Sequence, residues 1–303
     1  MKTRVIRLRP PAAPVGLTDV EKSNDPISIS AELVDLSRHS SVEYPITKPR
    51  ASSIQSACMR MHVLGVKKER SRTERDSLQS RMTFGLGNAW HWWVQNTPAV
   101  FGDRRRGWWR CTACGKVRYF GAPPRKLCEH CGARKEATVY HEHSIDLDSP
   151  YQVTGHPDMF IERHPGVFRF CELKSLAANE FLKLYSPSAE HEWQLMTYMW
   201  ASEFDTRIPV DVDRNVGYIM YLSKGVQTTM LPVKTFVVIR NDDMIRRITR
   251  KLATYSEGIR NFPKSIPTPI DECVRGNFTN YRAKFCPVLK ECMRYADGEV
   301  NRD

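Results

Sequence analysis

The sequence has 303 residues, 41% of them hydrophobic and 26% charged, a length that allows one large domain with insertions or two small ones. No apolar run approaches the roughly 20 residues that span a bilayer, and the N-terminus lacks the apolar core of a signal peptide, so a cytoplasmic protein with no membrane partner is expected. Lysine and arginine outnumber aspartate and glutamate by 46 to 34, and the net charge of +12 favours an anionic partner, of which nucleic acid is the commonest, over a merely solvated basic surface.

Residues 1–49 are rich in Pro, Ser and charge without periodicity and read as a loosely packed basic extension. The folded part is expected from residue 50, where Ser52 or Ser53 can cap a helix carrying Ile54, Cys58 and Met61. After the charged stretch KKERSRTERDS, MTFGLGNAWHWWVQNTPAVF reads as a helix entered through Gly85 and Gly87 with His91 inside it. Residues 104–135 are a cysteine-bearing insertion. The pattern then turns to strands: YQVTGHPDMFIER, the turn HPG and VFRFCELKS form a β-hairpin. A helix ending in SAEHEWQLMTYMWASEF follows, then the strands NVGYIMYLS and VKTFVVIR, the helix DDMIRRITRKLATYSEGIRNF and a cysteine-bearing tail at 263–303. This order specifies an α/β or α+β domain around a central mixed sheet.

Nine cysteines in a reducing compartment argue for metal binding rather than disulfides. Cys111 and Cys114 form one CxxC, Cys128 and Cys131 another, a spacing that presents four thiolates to Zn²⁺. Arg105, Arg106, Trp108, Trp109, Arg110, Lys116 and Arg118 surround them. Basic residues interleaved with aromatics suit phosphates and unstacked bases; equally, the tryptophans can pack the ribbon onto the main domain.

The strand FCELKS places two opposite charges, Glu172 and Lys174, on one face, because side chains alternate along a strand. Asp158, on the first strand of the hairpin just after GHP, can approach Glu172 on the second. Two carboxylates sharing one site hold Mg²⁺ or Mn²⁺, which polarises a phosphodiester and lowers the pKa of bound water, with Lys174 placed to orient or deprotonate that water. A cross-strand ion pair on an open sheet face is the plain alternative. Cys171 alternates with Glu172 and is expected to be a small buried apolar residue.

Pro157-Asp158 followed by Glu172-Leu173-Lys174 resembles the signature of the PD-(D/E)XK nuclease superfamily. His91 on an upstream helix, and Gln194 with Tyr198 four residues on, resemble its RecB-like branch. The resemblance covers residues 50–295 and implies a restriction-endonuclease-like α/β fold, a central mixed sheet flanked by helices with a small zinc-ribbon insertion. It implies that His91, Asp158, Glu172 and the Leu173 carbonyl coordinate Mg²⁺ or Mn²⁺, that Lys174 assists the attacking water, and that Gln194 and Tyr198 position the substrate backbone or the lysine.

Cys58 with Cys273, Cys286 and Cys292 resembles the iron–sulfur subset of that branch, in which one N-terminal and three C-terminal cysteines hold a [4Fe–4S] cluster. The departure is that twelve residues separate Cys273 from Cys286, where the family usually has a CxxC pair; a second zinc site or unligated cysteines are the alternatives. The implied activity is metal-dependent DNA hydrolysis, most simply by an exonuclease in recombination, repair or phage DNA processing, in a bacterial, archaeal or phage-infected cell, with a helicase or recombinase as possible partner. The rival readings are a structure-specific endonuclease of the same fold and a non-catalytic nucleic-acid-binding protein with structural metal sites.

Overall fold

A computed structural model describes residues 41–75, 78–225 and 232–296. Residues 43–72 and those from 83 onward form one unit; residues 41–42, 73–75 and 78–82 are the described part of another. The main unit carries the helices α1 (Met59–Lys67), α2 (Leu78–Asn96, from residue 83), α3 (Ala189–Ala201), α4 (Asp242–Asn261) and α5 (Leu289–Ala296). Among the described residues its main sheet has seven strands: β1 (Arg105–Cys111), β2 (Val117–Gly121), β3 (Thr138–His141), β4 (Met159–His164), β5 (Val167–Leu176), β6 (Val212–Ser223) and β7 (Val233–Ile239).

The strand order is β7-β6-β5-β4-β1-β2, with β3 also paired to β1. β5 and β6 run parallel and the other pairs are antiparallel, which lets the sequential pairs β1–β2, β4–β5 and β6–β7 join directly without a crossover helix. The fold is therefore mixed α/β, a mostly antiparallel central sheet flanked by helices. The hairpin of β4 and β5 turns through Pro165 and Gly166, with Met159 opposite Cys171 and Phe160 opposite Phe170. That register puts Asp158 at the start of β4 level with Glu172.

Two apolar layers sandwich the sheet. One, holding Phe160, Phe170 and Tyr221, packs against Leu195 and Met199 of α3 and Ile248 and Leu252 of α4. The other, holding Met159, Cys171 and Leu173, packs against Val94 of α2. Ser188 caps α3 and Asn241 caps α4, each side chain accepting a backbone N–H of the first turn.

Several expectations are corrected. The helix expected at Ser52–Ser53 is a single 3-10 turn, Ala51–Ser53, and α1 begins only at Met59 with Cys58 in the N-cap position. α2 is not entered through Gly85 and Gly87 but runs through them from Leu78. YQVTG is not part of the main hairpin; Val153–Gly155 pairs with Ile145–Leu147 in a separate ribbon. The folded part begins before residue 50, since Lys48 donates to the Leu147 carbonyl at 3.0 Å. The first forty residues of the expected extension lie outside the described residues.

The insertion at 104–135 is not an appendage. β1 pairs with β4 through Arg105 and Arg106 and then continues between β2 and β3, so one strand belongs to both the main sheet and the cysteine region.

Candidate active site

Alternation along β5 sends Cys171 and Leu173 into the apolar layer under α2, and Phe170, Glu172 and Lys174 toward α3. Cys171 is the small buried residue expected. On the α3 side Lys174 Nζ donates to Glu172 Oε1 and to Gln194 Oε1, each at 2.8 Å. Gln194 Nε2 donates to the same Glu172 oxygen at 2.7 Å and to the Tyr198 hydroxyl at 3.1 Å. Gln194 and Tyr198 are buried, four apart on one face of α3. They hold Glu172 and Lys174 and are closed to a substrate backbone.

Asp158 completes the group from the start of β4. Its Oδ2 accepts the Leu173 backbone N–H at 2.7 Å, and its Oδ1 lies 3.4 Å from His91 Nδ1 on α2. The structure thus brings together the five side chains singled out by the motif, plus His91. Glu172 is 2% exposed, yet its second oxygen, Oε2, has no hydrogen-bond partner. A buried carboxylate oxygen without a donor is costly and requires an explanation.

Electrostatics sharpen the point. Burial pushes the Glu172 carboxyl up to about 8, and the neighbouring Asp158 charge adds to the rise against the pull of Lys174. Burial also acts on Asp158, but the hydrogen bond and charge of His91, with Lys174 and the Leu173 N–H, outweigh it and hold this carboxyl low. Burial opposes the charge on Lys174, while Glu172 and Asp158 restore it and leave the ammonium favoured. His91 is likewise drawn upward by Asp158 and Glu172 despite its burial. Two carboxylates share a buried space with too few donors. A divalent cation satisfies both, and oxygen donors with one imidazole suit Mg²⁺ or Mn²⁺.

Two residues of the site carry no sequence motif. Glu142, just past β3, has a carboxylate oxygen within 4.8 Å of ligand atoms of both His91 and Asp158. Gln95, one turn beyond His91 on α2, donates to Glu142 Oε1 at 2.8 Å and to the Asp158 carbonyl at 2.9 Å, fixing one against the other. A carboxylate at the end of the strand next to β1 was the available signal, but the order of strands in the sheet was needed to use it.

The sulfurs of Cys111, Cys114, Cys128 and Cys131 all lie within 4.8 Å of one another, with Cys111 and Cys131 at 3.7 Å and Cys114 and Cys128 at 3.8 Å. Thiolates placed about 2.3 Å from one tetrahedral zinc stand about 3.8 Å apart, so the quartet fits that ion. Each CxxC closes in the same way: Gly115 N–H donates to the Cys111 carbonyl and Gly132 N–H to the Cys128 carbonyl, both at 2.8 Å. Those glycines have φ of +74° and +71°, a left-handed turn that a Cβ would strain. Backbone N–H groups of His130 and Cys131 bring the Cys128 thiol down to about 7, toward the ligand form.

The residues around this quartet separate into two sets. Trp108 is 8% and Trp109 3% exposed; consecutive on β1, they point to opposite sides, one into each apolar layer. Arg105 is buried, donates to the Gln95 carbonyl and lies over the Trp109 ring. Of the two readings open for this set, burial places these three in the framework, where neither the rings nor the guanidinium is exposed to a base. Arg106 is half-buried and paired with Glu162. Arg110, Lys116 and Arg118 are exposed, Arg118 beside Glu129.

Cys58, Cys273, Cys286 and Cys292 also converge. Burial raises the thiols of the last three, Cys286 to about 11, and the four act on one another's charge in every pairing. Cys58 is the N-cap residue of α1 and Cys292 lies on α5, so the quartet joins the two ends of the described chain. These sulfurs do not meet the 4.8 Å mutual spacing of the first quartet. Four thiolates are the ligand set of a [4Fe–4S] cluster and equally of a zinc ion.

No family model matches the chain, and no curated protein matches it in sequence. Among solved structures it is similar to an alkaline exonuclease, LHK-Exo, from Laribacter hongkongensis, at 12% identity over 76% of this chain and 92% of that one, with a TM-score of 0.41. LHK-Exo in complex with dAMP aligns over the same shares with a TM-score of 0.39. SSO0001 aligns at 16% identity over 78% of this chain and 89% of its own, with a TM-score of 0.34. Among the described residues no helix is long and apolar enough to cross a membrane.

Proposed function

We propose that this chain is a divalent-cation-dependent nuclease that hydrolyses phosphodiester bonds in DNA, working from strand ends as an exonuclease. The observation that carries the reading is the unpartnered, buried Oε2 of Glu172 beside Asp158, with Lys174 fixed on the other Glu172 oxygen. A structural ion pair has no use for a second carboxylate forced against the first. A cation-binding hydrolytic site does.

Asp158 Oδ1, Glu172 Oε2 and His91 would hold Mg²⁺ or Mn²⁺, with Glu142 and the Leu173 carbonyl as further donors. The bound ion would supply charge for a phosphate oxygen and acidify a water. Lys174, kept as an ammonium by Glu172 and Asp158, donates a hydrogen bond and a positive charge to the attacking water or to a non-bridging phosphate oxygen. Gln194 prevents its rotation by accepting from Nζ while donating to Glu172, and Tyr198 fixes Gln194 in turn. The net charge of +12 favours the approach of a polyanion. The CxxC pairs would hold structural Zn²⁺, and Cys58, Cys273, Cys286 and Cys292 a [4Fe–4S] cluster fastening the chain ends.

The test is digestion of end-labelled linear DNA beside covalently closed circles, with Mn²⁺ or Mg²⁺ and with chelator. Cation-dependent loss of the linear substrate with the circles intact is expected. Linearised circles would make it an endonuclease, and no digestion of either substrate would leave a binding protein.

A further inference from the structure

Arg60 is an oddity of the core. It lies on α1, two residues after Cys58, and is 5% exposed. Its Nη1 donates to the Pro267 carbonyl at 3.1 Å and its Nη2 to the Cys292 carbonyl at 2.8 Å. The third nitrogen, Nε, donates toward the sulfur of Cys292 at 3.1 Å. Among the described residues no carboxylate lies within ion-pair distance of it. A guanidinium stays charged at every physiological pH, and a buried charge without a counter-charge is strongly destabilising. Two neutral carbonyls accept from its Nη atoms but do not balance its charge.

Two more cations act electrostatically on the same cysteines. Lys251, on α4, senses the charge of Cys58 while donating to the Ile54 carbonyl at 3.1 Å. Arg282 senses Cys273 and donates to the Ser56 carbonyl at 3.2 Å. Arg282 has Glu272 as an ion-pair partner; among the described residues Arg60 has no carboxylate partner, and the side chain it donates to is that of Cys292. A set of four neutral thiols gives these cations nothing to balance. Four thiolates on a metal centre do, because their charges outweigh that of the core they bind.

We propose that Arg60 is the buried counter-ion of the Cys58, Cys273, Cys286 and Cys292 centre, and that its Nε–H···Sγ bond to Cys292 sets the centre's reduction potential and its resistance to loss. The inference rests on the iron–sulfur reading of that quartet. Reduction adds an electron to an already anionic group, so a fixed positive charge and a hydrogen bond to a ligand sulfur both favour the reduced form. Arg60 is a positioning and tuning residue.

The test uses the full chain purified without oxygen, as wild type, Arg60→Met and Arg60→Lys, read by iron and zinc content, absorbance near 400 nm, midpoint potential, and the rate of bleaching by an iron chelator. Arg60→Met is expected to lower the equilibrium constant for reduction at least tenfold, about 59 mV for one electron, and to bleach several-fold faster. Arg60→Lys keeps the charge but loses the forked geometry at Cys292, and is expected between the two. If Arg60→Met does not fold, Arg60→Lys against wild type carries the comparison. An iron-loaded wild type whose variants match it in potential and bleaching rate overturns the role of Arg60 and leaves the cluster standing. A wild type with zinc or no metal at this quartet overturns the cluster reading, and the inference with it.

Discussion

Replacing Glu172 by Gln should stabilise the metal-free protein and abolish its response to divalent cations. In the fold without a cation, burial and Asp158 raise this carboxyl from its ordinary 4.5 to about 8. At about 1.4 kcal/mol for each tenfold, ionising it costs at most about 5 kcal/mol, and relaxation of the site leaves about 2–3 kcal/mol as the measurable part. A raised carboxyl gives stability that is full below 4.5 and is lost as pH climbs through about 8. Asp158, held low, acts the other way and loses its contribution only on acidification below 3.8. In chelator at pH 8.5, Glu172→Gln should therefore melt about 5–10 °C above wild type, and the gap should close by pH 5. Added Mn²⁺ should raise the wild-type melting temperature and leave the variant's unchanged. Equal melting of the two proteins at pH 8.5, or an equal response to Mn²⁺, would refute the view of Glu172 as a cation ligand held in wait.

Other outcomes follow from the same geometry. Glu142→Gln should weaken Mn²⁺ binding about tenfold or more in calorimetric titration, as removal of a carboxylate that faces the ion does. Because His91 is drawn toward its protonated form, a cation must displace a proton from it, so apparent affinity should rise from pH 6 to pH 8 and fall less steeply with pH in His91→Ala. Trp108→Ala should cost about 3–5 kcal/mol in chemical denaturation, as for a buried aromatic, with no specific effect on DNA contacts. Arg110→Ala and Lys116→Ala should each change stability by about 0.5 kcal/mol or less; if these exposed residues meet phosphate, each should reduce the slope of log affinity against log salt by about 1. Cys114→Ser should remove one equivalent of zinc by metal analysis and lower the melting temperature, because β1 ties that region to the main sheet.

The parts of the site legible in the sequence were those fixed by local periodicity. Glu172 and Lys174 share a face because a strand alternates, Gln194 and Tyr198 because a helix repeats every 3.6 residues, and the two CxxC pairs because each knuckle is built within five residues. What escaped depended on which strands lie side by side. Glu142 reaches the site only because β3 pairs with β1, which pairs with β4 behind Asp158. Trp108 and Trp109 fitted base stacking and packing equally well, and the choice needed β1 to be a strand with a core on each side. Gly85 and Gly87 suggested a helix start, since each lowers helix propensity by about 1 kcal/mol relative to Ala. α2 keeps Gly87 where it crosses the site strand, since a Cβ there would stand 3.0 Å from the Ser175 hydroxyl. The convergence of Cys58 with a tail more than two hundred residues away was open only to the resemblance, which named the pairing without locating Arg60 beside it.

The central claim is that Asp158, Glu172 and Lys174 form one hydrolytic unit. The most direct measurement is the initial rate of Mn²⁺-dependent nucleotide release from labelled linear DNA by wild type, Asp158→Asn, Glu172→Gln and Lys174→Ala, each shown by circular dichroism to be folded. Turnover by the wild type, at least a hundredfold loss in every variant, and no activity from any protein in chelator are expected. Wild-type rates in Asp158→Asn and Lys174→Ala would contradict the claim.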